Sequence, residues 1–150
     1  MDDQKYEPIR LKNQLCFPLY ACSRETIRLY KPYLDALELT YTQYISMMVL
    51  WERKALTVKE LGNELYLDSG TLTPLLKKLE AKGLLTRKRS TEDERNLIVS
   101  ITEQGEALKD KALSIHHSMA ACVKLTDEEA LTLYQLLYKM LSYVDTGNEE

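Results

Sequence analysis

The chain lacks the features that would place it in a membrane or outside the cell. It has no run of about 18 apolar residues, the length that a membrane-spanning helix requires. Its opening residues, MDDQKYEPIR, are acidic and polar and do not resemble a signal peptide. Its three cysteines are an odd number, which argues against a disulfide framework. We therefore expect a cytoplasmic protein with free thiols, no membrane contact and no cofactor.

Metal-binding and enzymatic patterns are also missing. The histidines, His116 and His117, are adjacent, so they point about 100° apart on a helix and form no ligand set with the scattered cysteines. A thiol peroxidase would need polar groups poised around its cysteine and a recycling partner, and no Cys–His–acid set is visible. We therefore expect that the protein is not an enzyme.

The charge of the chain is distributed unevenly. The formal net charge is −3, yet residues 77–95 carry seven basic and four acidic side chains, a local +3. A basic patch on an acidic body can bind phosphate locally while the body resists indiscriminate binding. Charge alone does not decide between a phosphate-binding patch and an ordinary solvated surface with no binding role.

Two long amphipathic segments are predicted towards the ends of the chain. Apolar residues at helical spacing predict a first helix from about Ile9 to Leu37, kinked or divided at Pro18 and Pro32. The last helix carries an apolar stripe: Leu131, Tyr134, Leu137, Leu141 and Val144. These stripes exceed what a small central core covers, so residues of about 9–39 and 103–144 are expected to form a symmetric dimer with a second copy. The alternative is that they pack on each other within one chain.

The central residues, about 40–102, combine capped helices with a hairpin. Thr-x-x-Gln and Thr-x-x-Glu capping patterns open helices after Thr40 and Thr57, and Asp68 or Ser69 caps the next. The helix after Thr40 is predicted to point four side chains inward: Tyr44, Met47, Met48 and Trp51. Gly83 suits the end of the third helix. Two short strands, Leu84–Arg89 and Leu97–Ile101, flank the polar stretch STEDERN.

The helix that follows Asp68 has two distinct faces. Its leucines recur at i, i+3, i+4 and i+7 and predict a buried side: Leu72, Leu75, Leu76 and Leu79. The opposite side presents small hydroxyl and basic residues: Ser69, Thr71, Thr73, Lys77 and Lys78. Small residues let a helix approach base edges closely, and its first-turn amides attract phosphate. Pro74 is expected in or near the first turn, where its missing donor is tolerated.

The hairpin supplies a second basic element. Arg87 and Lys88 lie on its first strand, and Arg95 lies near its tip beside Asp93. An arginine on a thin tip fits the minor groove, whose negative potential attracts it. Asp93 can hold the guanidinium in position, although a weak surface ion pair is the alternative.

Several long motifs resemble the MarR family of winged-helix regulators, most closely its organic-hydroperoxide-sensing OhrR-type branch. The resembling segments are NQLCFPLY, LTYTQYISMMVLWE, VKELG, YLDSGTLTPLLKKLE, RSTEDERN and SITEQG. The resemblance implies a single domain over residues 1–150. Its fold would be mainly α with a small β-hairpin wing, a winged helix-turn-helix with long N- and C-terminal dimerisation helices. It also implies base contacts near Asp68, Ser69 and Thr71, and a minor-groove role for Arg95 oriented by Asp93.

Cys16 is the candidate sensing thiol. It is expected within the first two turns of the first helix, where the dipole favours an anion, with Tyr20 one turn on along the same face. Tyr30 lies about 21 Å further along the helix axis, too far to touch its own Cys16. The resemblance implies that both tyrosines serve a thiol across the dimer interface. Pro18 is expected to free the carbonyl of Gln14 and distort this site.

The predicted chemistry is oxidation of the Cys16 thiolate by an organic hydroperoxide to a sulfenic acid. Cys22 is about 9 Å away along a helix, beyond disulfide reach. The resemblance implies that Cys122 of the partner subunit resolves the oxidised thiol; the alternative is a low-molecular-weight thiol. The expected protein is a homodimeric repressor that releases a pseudo-palindromic double-stranded DNA operator. A family member controlled by an aromatic ligand, with Cys16 incidental, is the competing interpretation.

Overall fold

Helices dominate the chain, and one small sheet interrupts them. The computed structural model describes residues 3–145. Two short 3₁₀ helices, Asp3–Ile9 and Leu11–Asn13, come first. The remaining elements, in chain order, are α1 (Cys16–Asp35), α2 (Tyr41–Arg53), β1 (Ala55–Thr57), α3 (Val58–Leu65), α4 (Ser69–Ala81), β2 (Leu85–Arg89), β3 (Leu97–Ile101), α5 (Glu103–Cys122) and α6 (Asp127–Asp145). The chain divides into two compact units, Met1–His117 and Ser118–Glu150.

The first α-helix is shorter than predicted. Side chains stabilise the preceding 3₁₀ turns, because Asn13 Nδ2 donates to the Glu7 carbonyl at 2.7 Å and Gln14 Nε2 donates to the Pro8 carbonyl at 2.6 Å. The Gln14 backbone is extended and ends these turns. The predicted start at Ile9 is therefore wrong, and α1 begins at Cys16.

The two prolines of α1 have different consequences. Pro18 is the third residue of the helix, where a backbone N–H would have no intrahelical acceptor. The predicted break at Pro18, and the distortion from a freed Gln14 carbonyl, are therefore wrong, since Gln14 lies outside the helix. Pro32 lies inside α1 and does remove a helical hydrogen bond.

The predicted capping patterns are confirmed. Thr40 with Gln43 and Thr57 with Glu60 each form the reciprocal pair of side-chain-to-backbone bonds that opens a helix. The Asp68 side chain caps α4. Gly83 follows α4 with φ +75°, a left-handed conformation that glycine adopts without strain. Local sequence therefore fixes where these helices begin and where α4 ends.

The sheet has three antiparallel strands rather than the two predicted. The strand order is β1-β3-β2, and β1 pairs Leu56 with Val99 while β2 pairs Arg87 with Val99. Beta-strand β1 was missed because it has only three residues and its partner lies far along the chain. We call β2, β3 and the intervening residues 90–96 the wing.

The core of the first unit lies between α2, α3, α4 and the sheet. Met47, Leu61, Leu72, Leu76 and Val99 are fully buried. Trp51 is buried and donates its indole N–H to the Gly105 carbonyl at 2.9 Å. Tyr44, Met47 and Trp51 point inward as predicted, but Met48 is 48% exposed, so its predicted inward position is wrong. Met48 lies about 100° around α2 from Met47, beyond the edge of the buried face. None of the helices within residues 3–145 is both long and apolar enough to cross a bilayer.

Candidate nucleic-acid interface and redox site

The two faces of α4 are as predicted. The four leucines at helical spacing are buried, with exposed fractions of 8% or less. The hydroxyl and lysine side chains on the other face are exposed: Ser69, Thr71, Thr73, Lys77 and Lys78. Because the leucine face is held in the core, the exposed face is presented by a rigid helix rather than by a loop.

Pro74 lies deeper in α4 than predicted. With Asp68 as the cap and Ser69 as the first helical residue, Pro74 falls in the second turn. Its ring therefore removes the hydrogen bond that residue 74 would otherwise donate to the Gly70 carbonyl. The prediction of a position in or near the first turn is wrong, because either predicted cap, Asp68 or Ser69, leaves Pro74 beyond that turn. The Thr73 hydroxyl donates to the Ser69 carbonyl at 2.7 Å in the same turn.

Asp68 caps the exposed end of α4. Its Oδ1 accepts from the Thr71 backbone N–H at 2.7 Å. That bond, followed by weaker ones from the Thr71 side chain and the Gly70 and Asp68 amides, holds the pKa of the Asp68 carboxyl below its usual value. The carboxylate is consequently committed to the helix start, where it also complements the helix dipole.

Replacing Asp68 with asparagine should change how stability depends on pH. The folded-state pKa of Asp68 is lowered from 3.8, so its contribution is present above that value and is lost as the pH falls through the folded pKa. Asparagine keeps a capping oxygen but does not titrate. Thermal unfolding of both proteins between about pH 3 and pH 7 should therefore show wild type losing more stability in acid than Asp68→Asn. Parallel curves would contradict this role for the carboxylate.

The wing tip carries a pre-formed arginine–carboxylate pair. Arg95 Nε and a terminal nitrogen donate to the two Asp93 oxygens at 3.0 and 3.1 Å, and the Arg95 amide donates to Asp93 Oδ1 at 3.1 Å. These bonds hold the pKa of the Asp93 carboxyl below its usual value. The Arg95 side chain nevertheless remains 91% exposed. Asp93 thus orients a guanidinium that still faces solvent, which is the geometry predicted for this pair.

The other basic residues of the wing differ in their exposure and in their bonding partners. Lys88 is exposed, whereas the Arg87 side chain is only 17% exposed and pairs with Glu80 of α4. Arg89 is exposed and donates to the Glu94 carbonyl at 2.8 Å across the hairpin. The DNA contacts predicted for Arg87 and Lys88 stay predictions, and of these two residues only Lys88 is exposed.

A cleft of about 490 Å³ lies between α4 and the wing. Asp68, Ser69 and Thr73 line one side, and Arg87 and Arg95 line the other. Four further polar residues of its lining were not predicted as site residues: Thr57, Lys59, Asn63 and Asn96. The Thr57–Glu60 capping pattern placed Lys59 in the first turn of α3, so its position was available from the sequence, but its proximity to the wing was not.

Cys16 is an exposed free thiol at the first position of α1. The residue before it, Leu15, makes no side-chain cap, so the first-turn amides of α1 have no side-chain acceptor from that position. Phe17 and Leu19 beside it are 43% and 39% exposed. Tyr20, one turn on, is 59% exposed and lies under the Arg24 guanidinium at 5.6 Å from the ring centroid. The thiol is therefore accessible and has apolar neighbours.

Tyr30 belongs to an aromatic cluster at the α1–α2 contact. Its ring centroid lies 5.1 Å from that of Tyr41 and 6.0 Å from that of Tyr44, which in turn contacts Trp51 at 6.1 Å. Burial, with smaller contributions from Tyr41 and Tyr44, raises the pKa of the Tyr30 phenol. Tyr30 is thus a neutral phenol that can donate a hydrogen bond. Tyr41, whose ring packs against that of Tyr30, was not predicted as part of the site.

The other two cysteines are also free thiols. Cys22 and Cys122 are both exposed, and Cys122 Sγ lies 3.4 Å from the Ser118 carbonyl oxygen within the second unit. His117 Nδ1 lies 3.0 Å from the Leu113 carbonyl oxygen. Among the described residues, no group of three or more His, Cys, Asp or Glu side chains is arranged to hold a metal ion.

The arrangement of β1, α3, α4 and the wing defines the class of winged helix-turn-helix regulators. Comparison with known proteins agrees, since the profile described as transcriptional regulator SarA/Rot matches residues 28–112. The organic hydroperoxide resistance transcriptional regulator of Bacillus subtilis is 49% identical over 97% of this chain and 99% of its own length. The chain belongs to this MarR/SarA-type family of winged-helix transcriptional regulators, in its organic-hydroperoxide-sensing OhrR-type branch.

Solved structures show the same fold. Reduced AbfR bound to DNA matches with a TM-score of 0.77 and 33% identity, covering 95% of this chain and 99% of that one. Disulfide-formed AbfR matches with a TM-score of 0.66 and 32% identity, covering 96% and 98%. AbfR is a protein of Staphylococcus epidermidis.

Proposed function

We propose that the chain is a cytoplasmic, homodimeric repressor that releases its operator when an organic hydroperoxide oxidises Cys16. The observation that carries this proposal is an exposed free thiol at the first position of α1, in a chain that also presents a basic winged helix-turn-helix. Its relatives fit this proposal, because one is named for organic hydroperoxide resistance and another was solved both reduced on DNA and with a disulfide.

The DNA-binding mode follows from the two exposed basic elements. The hydroxyl and lysine face of α4 enters the major groove, where small side chains allow close approach to base edges. Arg95, oriented by Asp93, enters the neighbouring minor groove. Lys77, Lys78 and Lys88 contact phosphates. A symmetric dimer then reads a pseudo-palindromic operator with half-sites about one helical turn apart.

Dimerisation uses the helical segments at about 9–39 and 103–144, flanking the winged region at about 40–102. Apolar side chains along α1 remain exposed within one chain: Phe17, Leu19, Ile27 and Leu29. The same holds for α6: Leu131, Leu133, Tyr134, Leu136, Tyr138, Met140, Tyr143 and Val144. Exposed apolar side chains in this number favour an isologous interface with a second copy.

The redox step is a nucleophilic displacement on the peroxide. The Cys16 thiolate attacks one oxygen of the O–O bond, an S–O bond forms, and the alkoxide leaves and takes a proton to become an alcohol. The sulfur is oxidised to a sulfenic acid, and the peroxide is reduced. A phenol such as Tyr20 or Tyr30 can stabilise the thiolate by donating a hydrogen bond. Both act across the dimer interface in this proposal. Tyr30 lies about 21 Å along the helix axis from its own Cys16, and the family resemblance implies the same arrangement for Tyr20.

The sulfenic acid is then condensed with a second thiol. Cys122 of the partner subunit, or a low-molecular-weight thiol, attacks the oxidised sulfur, a disulfide forms and water leaves. Exposure of Cys122 in its own unit supports the first route. Either product adds bulk at the dimer interface and shifts the two α4 helices out of register with the operator.

The proposal is tested by mobility shift on a duplex selected from a random pool by the reduced protein. The reduced protein should bind with a Kd of about 10⁻⁸ M or tighter at physiological salt. A few equivalents of cumene hydroperoxide should release the duplex while intact mass shows a modified Cys16. Failure to enrich any duplex would refute the DNA-binding proposal, and binding that survives modification of Cys16 would refute the switch.

A further inference from the structure

A carboxylate on α4 holds the first strand of the wing through three hydrogen bonds. Glu80 Oε1 accepts from the Arg87 backbone N–H at 2.9 Å. Glu80 Oε2 accepts from Arg87 Nε at 3.1 Å and from a terminal nitrogen at 2.9 Å. The Arg87 side chain is only 17% exposed, against 91% for Arg95. Although Arg87 lines the cleft between α4 and the wing, its Nε and one terminal nitrogen are already bonded to Glu80.

Glu80 also occupies the position of a missing neighbour strand. Beta-strand β2 is at the edge of the sheet, and its Arg87 amide points away from β3 to the Glu80 carboxylate. An uncovered edge amide would otherwise face solvent. On the other side of the wing, β1 pairs Thr57 with Ile98. Past Lys88 and Ile98 only β2 and β3 remain, and a two-stranded ribbon is marginally stable by itself.

We propose that Glu80 is a positioning residue for DNA binding, which holds the wing through Arg87 at a fixed angle to α4. This inference rests on the proposed function. Arg95 and the exposed face of α4 must reach adjacent grooves at the same time, and a wing that moves freely would have to be ordered on binding. In this account Arg87 is a strut, meaning that it holds the wing in place, and it is not one of the residues that contact DNA, as the sequence predicted.

The bonding pattern is stronger than that of an ordinary surface ion pair. Isolated exposed pairs contribute little, but a bidentate guanidinium–carboxylate pair with a further backbone bond has the geometry that fixes orientation. Hydrogen bonds from the Arg87 side chain, and to a smaller extent from its amide, hold the pKa of the Glu80 carboxyl below its usual value. The carboxylate therefore stays ionised at neutral pH, where DNA is bound.

Substitution of Glu80 distinguishes two roles of Arg87, a strut and a phosphate contact, because the two roles predict opposite changes in operator affinity. If Arg87 is a strut, Glu80→Ala should weaken operator binding by about tenfold, because the wing must be ordered on binding. If Arg87 contacts phosphate, Glu80→Ala removes a competing carboxylate and should tighten binding. Glu80→Gln, which retains one acceptor for the Arg87 amide, should lie between wild type and Glu80→Ala.

The salt dependence of binding gives a second, independent test. Each phosphate contact contributes about 0.9 to the slope of log K against log salt concentration. Arg87→Met should weaken binding and leave this slope at the wild-type value. Lys88→Met, a matched substitution at the exposed neighbouring position, calibrates the loss of one predicted phosphate contact. A slope that falls by about 0.9 in Arg87→Met would overturn the inference.

Hydrogen exchange without DNA separates failure of this inference from failure of the proposed function. In Glu80→Ala, amides of residues 90–96 should exchange faster while the buried amides of α4 keep wild-type protection. Wild-type protein that binds no duplex would refute the proposed function. Unchanged wing exchange and unchanged affinity in Glu80→Ala, with wild-type binding intact, would refute the strut. Thermal unfolding confirms that each variant is folded.

Discussion

Replacing Cys16 with serine should leave the protein bound to its operator at hydroperoxide concentrations that release wild type. Serine keeps the size of the side chain but cannot attack the O–O bond as a thiolate does. In mobility-shift titrations with cumene hydroperoxide, wild-type affinity should fall by about 5- to 150-fold, the usual range of coupling between two sites. The affinity of Cys16→Ser should not change, and its affinity without oxidant should match that of reduced wild type.

The other two cysteines serve as matched controls for this experiment. Cys22→Ser removes an equally exposed thiol from the same helix and should respond to oxidant as wild type does. Cys122→Ser should lose the inter-subunit disulfide on non-reducing gels, and it should then require an added small thiol to form a mixed disulfide at Cys16. Release of Cys16→Ser at wild-type oxidant concentrations would refute the switch and favour a regulator controlled by an aromatic ligand.

Local patterns predicted the parts of the fold that local interactions determine. The caps at Thr40, Thr57 and Asp68 were visible because each bond joins residues three apart. The buried leucine face of α4 followed from helical periodicity alone. The Asp93–Arg95 pair was also predictable, since two residues on one hairpin tip cannot lie far apart.

Features that depend on distant partners were missed or misplaced. Beta-strand β1 exists because Leu56 pairs with Val99, and three residues give too little alternation to show a strand. The Glu80–Arg87 contact requires the end of α4 to turn back along β2, which depends on Gly83 and not on spacing. Pro74 was misplaced although either predicted cap puts it beyond the first four amides of the helix, the ones that lack a helical acceptor. Met48 is exposed because α2 uses only one side for the core, and apolar character alone did not indicate which side.

The largest expected loss of stability comes from Gly105→Ala. A Cβ at Gly105 would lie 2.2 Å from the Leu84 carbonyl oxygen and 2.9 Å from Ile101 Cγ1. The first of these atoms is backbone and already accepts from the Thr102 amide at 3.1 Å, so it cannot move without breaking that bond. The Gly105 carbonyl also accepts from the buried Trp51 indole. We therefore expect a loss of about 2–4 kcal/mol in the free energy of unfolding.

Urea denaturation at constant protein concentration measures this loss as a lower midpoint with an unchanged slope. Gly70→Ala is the matched control, because its Cβ would meet only the end of the Asp68 side chain, at 3.1 Å. Since alanine also has the higher helix propensity, Gly70→Ala should stay within about 1 kcal/mol of wild type. Equal losses in the two variants would show that the close approach of α5 to the Leu84 carbonyl does not limit stability. A lower midpoint in Gly105→Ala alone would identify that approach as the junction joining α2, the start of β2 and α5.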